Sequence, residues 1–257
     1  MKNVTFLVNS CDKYSDTWTP FFTLLEKNWQ GFDLPVVLNT ETKDYSFEGI
    51  NLTVCNFPSA KTWSERFLNV LDKISTDYVL VFLEDFFIED IVNIQEFNRC
   101  SEYMLQHPEV GCISFKNTPE GLIESEQLSG YSKLESNATY RINCQAGLWK
   151  TSFLKKVLRK HENAWEFERW GSFRSRFLKE EIYSAVKDHE MVFDYDWGKP
   201  IYRSHWNLES VNRIQRKCNI EICTDSLPQI DNMKLLPPQP KPSRNITFFM
   251  HRIRSII

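Results

Sequence analysis

Residues Tyr78-Val79-Leu80-Val81-Phe82-Leu83 form an unbroken apolar run, and the carboxylates Glu84 and Asp85 follow it directly. A run this short, β-branched and aromatic without polar alternation, reads as a strand buried on both faces, the usual centre of an α/β sheet. Open α/β sheets bind ligands just beyond the carboxyl ends of their strands. The two acids fall at that end. Carboxylates at the tip of a buried strand are costly to desolvate unless something compensates them. A divalent cation is one such compensator, because hard cations prefer carboxylate oxygen.

The preceding half of the chain repeats the plan. Residues 4–8 predict a strand, with Asn9, Ser10, Cys11 and Asp12 as its exit loop. A helix capped by Thr17 or Asp16 follows, its apolar face marked by Trp18, Phe22, Leu25 and Trp29 and its end by Gly31. Residues 34–38 predict a second strand, with Asn39, Thr40, Glu41 and Thr42 as its exit loop, and residues 52–55 a third. Thr62 and Glu65 have capping-box spacing ahead of a helix. The order βαβ, β, α, β predicts a largely parallel sheet with right-handed crossovers. Beyond the acids, a helix over 94–106 and a strand over 110–115 are expected, then a long loop over 116–138. Further expectations are a strand over 139–144, a turn at 145–149 into a helix over 151–159, a helix near 173–186, and short strands near 191–195 and 200–203.

The chain has 257 residues, 42% apolar and 25% charged. That is long enough for one large globular domain, placed at 1–235. A net charge of −3 argues against a nucleic-acid partner. No GxGxxG or GxxxxGK[ST] segment occurs, so neither dinucleotide nor P-loop phosphate cradles are supported. The seven cysteines form no CxxC pair and read as reduced thiols of a cytoplasmic protein. No signal-peptide core or membrane-spanning run is present. Residues 236–257 start as a proline-rich linker and continue as a short basic, amphipathic stretch. That stretch predicts either contact with the inner face of the plasma membrane or packing on its own domain.

Four segments carry a resemblance: Val8-Asn9-Ser10-Cys11-Asp12-Lys13-Tyr14, Leu83-Glu84-Asp85-Phe86-Phe87, Gln145-Ala146-Gly147-Leu148-Trp149 and Asn163-Ala164-Trp165-Glu166-Phe167-Glu168. In this order the chain resembles bacterial GT-A-type glycosyltransferases, family 2-like, of surface polysaccharide synthesis. The resemblance implies a GT-A-like α/β fold with a central, mostly parallel sheet flanked by helices. It also implies transfer of a sugar from a nucleoside-diphosphate donor to a hydroxyl of a glycan or lipid-linked acceptor, with inversion and with Mg²⁺ or Mn²⁺. Glu84-Asp85 stands where such enzymes carry an acidic metal-binding element, with Phe86 where another acid often stands.

By the same resemblance, Asn9, Ser10, Asp12, Asn39, Thr40, Arg66 and Trp149 belong to the nucleotide-sugar site, and a late histidine, His205, joins Asp85 and Glu84 as a metal candidate. An inverting transfer needs a carboxylate to take the acceptor's proton. Glu166 and Glu168 both qualify, and the resemblance favours Glu168. Trp149, Trp165 and Trp170 are candidates for stacking on sugar rings. Two other readings fit the same acids: a sugar nucleotidyltransferase, which would want a glycine-rich basic loop after the first strand, and a non-catalytic nucleotide-sugar-binding or scaffold protein.

Overall fold

The computed structural model describes residues 3–116, 122–123, 127–186, 191–195, 200–236 and 254–255. The predicted central strand is β4 (Tyr78–Leu83) of a nine-stranded sheet. The sheet also contains β1 (Val4–Asn9), β2 (Val36–Thr40), β3 (Leu52–Asn56), β5 (Val110–Ser114), β6 (Leu122–Ile123), β7 (Tyr131–Leu134), β8 (Gly147–Lys150) and β9 (Glu181–Ala185), in the order β3-β2-β1-β4-β8-β5-β9-β7-β6. Only β7 and β8 run against the others. β1 and β4 pair in parallel from Val4↔Tyr78 to Asn9↔Leu83, so Asn9 and the Glu84-Asp85 turn leave the sheet side by side.

Alternating side chains of β1 and β4 build two cores. Phe6, Val8, Leu80 and Phe82 pack under α1 (Trp18–Asn28) and α3 (Ile94–Gln106), while Leu7, Val79 and Val81 pack under α2 (Trp63–Leu71) and α4 (Thr151–Val157). Phe6 and Phe82 stack at 5.0 Å between ring centroids. After α4 come α5 (Ala164–Glu166), a π-helical turn (Phe167–Gly171), α6 (Ser172–Ser175) and α7 (Leu208–Cys218). A small second sheet contains β10 (Ile201–Tyr202), β11 (His205–Asn207) and β12 (Gln229–Ile230).

The α/β class and the parallel order through β4 agree with the sequence expectation. Several local expectations do not. Residues 139–144 make turns rather than a strand, and the strand is instead β8, in the stretch read as a turn. β8 wedges antiparallel between β4 and β5, where Gly147 lets the chains close: a Cβ there would lie 2.9 Å from Trp149 Nε1 and 3.3 Å from the Ile113 carbonyl. Four residues are too few to show a period.

The helix expected near 173–186 ends at Ser175, and residues Glu181–Ala185 pair with β5. The charged run 174–181 has good helix formers, but burial of Ile182 and Tyr183 decides the strand. Residues 191–195 form no strand; Phe193 fills the core against Phe82. β2 starts at Val36 and includes Asn39 and Thr40, which the sequence placed in the exit loop.

Neither proposed cap of α1 acts as one. The Thr17 hydroxyl donates to the Tyr14 carbonyl, and Asp16 accepts from the Ser226 amide. At α2 half of the capping box forms. Thr62 Oγ1 accepts from the Glu65 amide at 3.0 Å, while Glu65 reaches back to the Lys61 amide. The expected loop over 116–138 carries β6 and β7 where it is described.

Among the described residues no helix is long and apolar enough to cross a membrane. The linker and basic tail lie outside the described residues except for Leu236, Arg254 and Ser255. Ser255 is buried, and its carbonyl accepts from Arg174 Nη1 at 2.7 Å. That contact ties Ser255 to α6.

Candidate functional site

A cleft of about 1030 Å³ opens beyond the carboxyl ends of β1 and β4. One wall comes from the β1 exit (Asn9, Ser10, Cys11, Tyr14), the first turn of α2 (Arg66) and the β4 exit (Glu84, Asp85, Phe86). The facing residues are Cys144 and Gln145 before β8, and Asn163, Ala164, Trp165 and Glu168 around α5. The β10–β11 turn adds Tyr202, Arg203 and Ser204.

The β1/β2 corner is held by Asp12. Its carboxylate accepts from the hydroxyls of Thr40 and Thr42 and from the amides of Glu41, Thr42 and Lys43. Burial works against the charge, but these hydrogen bonds hold the acid well below the usual carboxylate range. Glu41 accepts from the Asp12 amide and pairs with Arg66 Nη1 at 2.6 Å, and Arg66 Nη2 donates to the Ser10 carbonyl at 3.2 Å. Arg66 is thereby fixed at the cleft floor, with its Nε unpartnered and buried. Asn39 Nδ2 donates to Asn9 Oδ1, which leaves the Asn9 amide nitrogen unpartnered although the residue is 1% exposed.

Glu84 is buried, and its carboxyl is raised by burial and by the charge of Asp85, against the opposing pull of Arg66 and Ser10. Burial also raises Asp85. Among the described residues no three His, Cys, Asp or Glu side chains group to hold a metal ion. A divalent ion at Glu84 and Asp85 would therefore need oxygens from a ligand, as a diphosphate offers. Two adjacent, buried carboxylates at the cleft fit that demand.

On the facing wall, Asn163 caps α5 in a complete capping box with Glu166. Glu166 is committed to that cap and does not line the cleft. Glu168 does. The π turn carries it, and π turns are frequent at functional sites. Glu168 Oε1 accepts from the Cys144 amide at 2.9 Å. Burial raises the Glu168 carboxyl, opposed by the bonds from Cys144, and burial pushes the neighbouring Cys144 thiol far up. The Cys11 thiol across the cleft is pushed up to about 12, by burial and then by Glu84. Neither thiol is a ready nucleophile.

The structure thus brings Asn9, Ser10, Arg66, Glu84, Asp85 and Glu168 into one cleft. It keeps Asp12, Asn39 and Thr40 behind it as supports. Two candidates lie outside the cleft lining. Trp149 is 4% exposed, stacked on Phe153 in the core under α4, and does not line the cleft. His205 lies past the β10–β11 turn, where its Nδ1 bonds the Arg203 carbonyl at 2.8 Å, so it is not grouped with the two acids.

Of the lining residues, Arg203 is a phosphate-contact candidate from the sequence, whereas Tyr14, Gln145, Tyr202 and Ser204 were missed. Arg203 and Ser204 take φ of 51° and 63° in succession. Left-handed backbone costs about 1–2 kcal/mol per non-glycine residue, and no Gly or Asn announces the turn. It is pinned instead by Tyr14 Oη, 3.1 Å from Ser204 Oγ.

No protein-family model matches the chain, and no curated protein matches it. Solved structures do. The 1–349 fragment of TarS from S. aureus superposes with a TM-score of 0.52 at 12% identity, over 85% of this chain and 67% of that one. The same fragment in complex with UDP gives 0.51 at 12% identity, over 84% and 67%. A longer TarS structure gives 0.51, also at 12% identity, over 85% of this chain and 40% of that one. Together with the strand order, this likeness shows the fold: a GT-A-like α/β fold with a mostly parallel central sheet flanked by helices.

Proposed function

We propose that this protein is a glycosyltransferase that moves a sugar from a nucleoside-diphosphate donor to a hydroxyl of a glycan or lipid-linked acceptor, with inversion, in bacterial surface polysaccharide synthesis. The observation that carries this reading is the pairing of Glu84-Asp85 with Glu168 in one cleft large enough for a nucleotide sugar and an acceptor. The UDP complex of a protein with the same fold supports it.

In this reading the donor lies along the β1 and β4 exits. Asn9 offers its unpartnered amide, and Arg66 places positive charge near the phosphates. Mg²⁺ or Mn²⁺, held by Asp85 and Glu84 with donor diphosphate oxygens, would neutralise charge on the departing nucleotide. Glu168 accepts the acceptor hydroxyl proton as that oxygen bonds to the anomeric carbon. The anomeric carbon–phosphate oxygen bond breaks, and the nucleoside diphosphate leaves with its electron pair.

Thermal unfolding against a panel of nucleoside diphosphates, with and without Mn²⁺, tests the reading. One nucleotide is expected to raise the midpoint, by a stabilisation of about 2.7 kcal/mol at a hundredfold excess over Kd. Mn²⁺ should add to it, and Asp85→Ala should lose the metal increment. No shift with any nucleotide, with or without metal, would sink the transferase reading.

A second expectation concerns the unliganded protein. Because the fold raises the Glu84 carboxyl, its contribution to stability is full below the unfolded-state pKa and is lost as pH rises through the folded-state value. Glu84→Gln removes the buried charge. It should raise the unliganded midpoint at pH 8, leave it little changed at pH 5, and weaken the Mn²⁺ response. An unliganded midpoint that falls at pH 8 would contradict the account of Glu84.

A further inference from the structure

We infer that Trp165 is the platform of an acceptor subsite for a neutral pyranose, an inference that rests on the transferase reading above. Trp165 is 77% exposed, yet its ring lies in the cleft wall. Among the described residues the other large exposed apolar side chains are Ile91, Leu105, Tyr140, Phe177 and Met191, and none lines this cleft. An indole left bare on a cleft wall gives up the burial that normally stabilises such a side chain, and a ligand with one apolar face restores it.

The backbone around the ring is firm. The Asn163–Glu166 capping box fixes the start of α5, so Trp165 projects from a defined turn. Glu168 lies three residues on, on the π turn that follows α5, and lines the same cleft. A sugar ring laid on Trp165 would have the Glu168 carboxylate beside it in that wall. Tyr195 Oη donates to Gln145 Oε1 at 3.1 Å, which leaves the amide NH₂ of this cleft residue for a sugar oxygen.

The charge pattern narrows the acceptor. The wall made by Cys144, Gln145, Asn163, Ala164, Trp165 and Glu168 contributes no cation. The cleft's arginines are elsewhere: Arg66 is tied to Glu41, and Arg203 is on the β10–β11 turn. Among the described residues of that wall, a phosphorylated acceptor would meet Glu168 with no positive partner beside it, whereas a neutral glycoside brings no charge to oppose.

The test uses the full chain with UDP and Mn²⁺ present, on an array of neutral pyranose oligosaccharides that also carries phosphorylated sugars. The wild type should retain at least one neutral glycan. Trp165→Ala should weaken that binding about tenfold or more, Trp165→Phe should keep it within about threefold, and Phe177→Ala, equally exposed but outside the cleft, should change nothing. Nucleotide-induced thermal shifts should be the same in all four proteins. Full glycan binding by Trp165→Ala, binding of phosphorylated sugars alone, or no glycan bound by the wild type would each overturn the proposal. Trp165-dependent glycan binding without any nucleotide shift would uphold the subsite and overturn the transferase reading instead.

Discussion

Glu168→Gln is expected to cut sugar transfer by about 10²–10⁴-fold while leaving the fold and nucleotide binding intact. The substitution is nearly isosteric. The new amide oxygen can still accept from the Cys144 amide, the bond that holds the carboxylate in place. What is lost is the capacity to take a proton. The pH dependence follows from the same environment. Burial raises the Glu168 carboxyl, and the base works only when ionised. Activity should therefore fall as pH drops, with an acid limb above the ordinary glutamate value. The Gln variant should lose that limb. Glu166→Gln is the matched control: Glu166 closes the α5 capping box, and a weakened cap costs about 0.5–2 kcal/mol of stability with far less effect on rate. Turnover and its pH profile, measured for both variants, decide between the two acids. Wild-type turnover by Glu168→Gln would move the base elsewhere.

That choice between neighbouring acids shows where the sequence stops being legible. Trp165-Glu166-Phe167-Glu168 alternates, and an extended chain would send both acids the same way. The chain there is helical and shifts to a π turn, which turns Glu166 to its cap and Glu168 to the cleft. Nothing in a four-residue pattern announces that change of pitch.

The buried strand and its terminal acids were legible because a six-residue apolar run followed by charge has few other homes. Asn9, Ser10 and Arg66 came from the family resemblance, and they line the cleft. The same resemblance made Asp12 a ligand contact. Five donors from one corner consume it instead, and only tertiary pairing of β1 with β2 brings those donors together. Trp149 was misplaced for a related reason: β8 enters the sheet from a distant segment, and its tryptophan goes under α4 with it. The left-handed Arg203-Ser204 turn carries no glycine, so although Arg203 stood out as a cation, the turn that carries it into the cleft did not.

The largest effect on stability is expected from an ion pair behind the Glu168 wall. Arg174 and Glu162 are bidentate, with Nη1–Oε1 at 2.6 Å and Nη2–Oε2 at 2.7 Å, and their side chains are 5% and 0% exposed. Arg174 also donates to the carbonyls of Val157 and Ser255. The Glu162 carbonyl accepts from the Ser64 amide at the start of α2, and Thr62 donates to the Lys160 carbonyl. The pair thus locks α4, α2 and α6 around the segment that leads into Asn163 and Glu168.

Removing one partner strands the other charge in a dry interior, at a cost of about 3–5 kcal/mol. That is a large part of the 5–15 kcal/mol of a typical fold. Glu162→Ala and Arg174→Met should each lower the thermal midpoint by about 10 °C. Glu162→Leu combined with Arg174→Met should recover much of the loss, because a matched apolar pair leaves no buried charge unpaired. The recovered stability separates charge stranding from lost packing, and the double variant then asks a functional question. If the pair serves only stability, turnover returns with the midpoint. If its geometry aims the Asn163–Glu168 segment, the midpoint returns while kcat stays low. Single variants within about 1 kcal/mol of wild type would show that the pair is hydrated and does not anchor this wall.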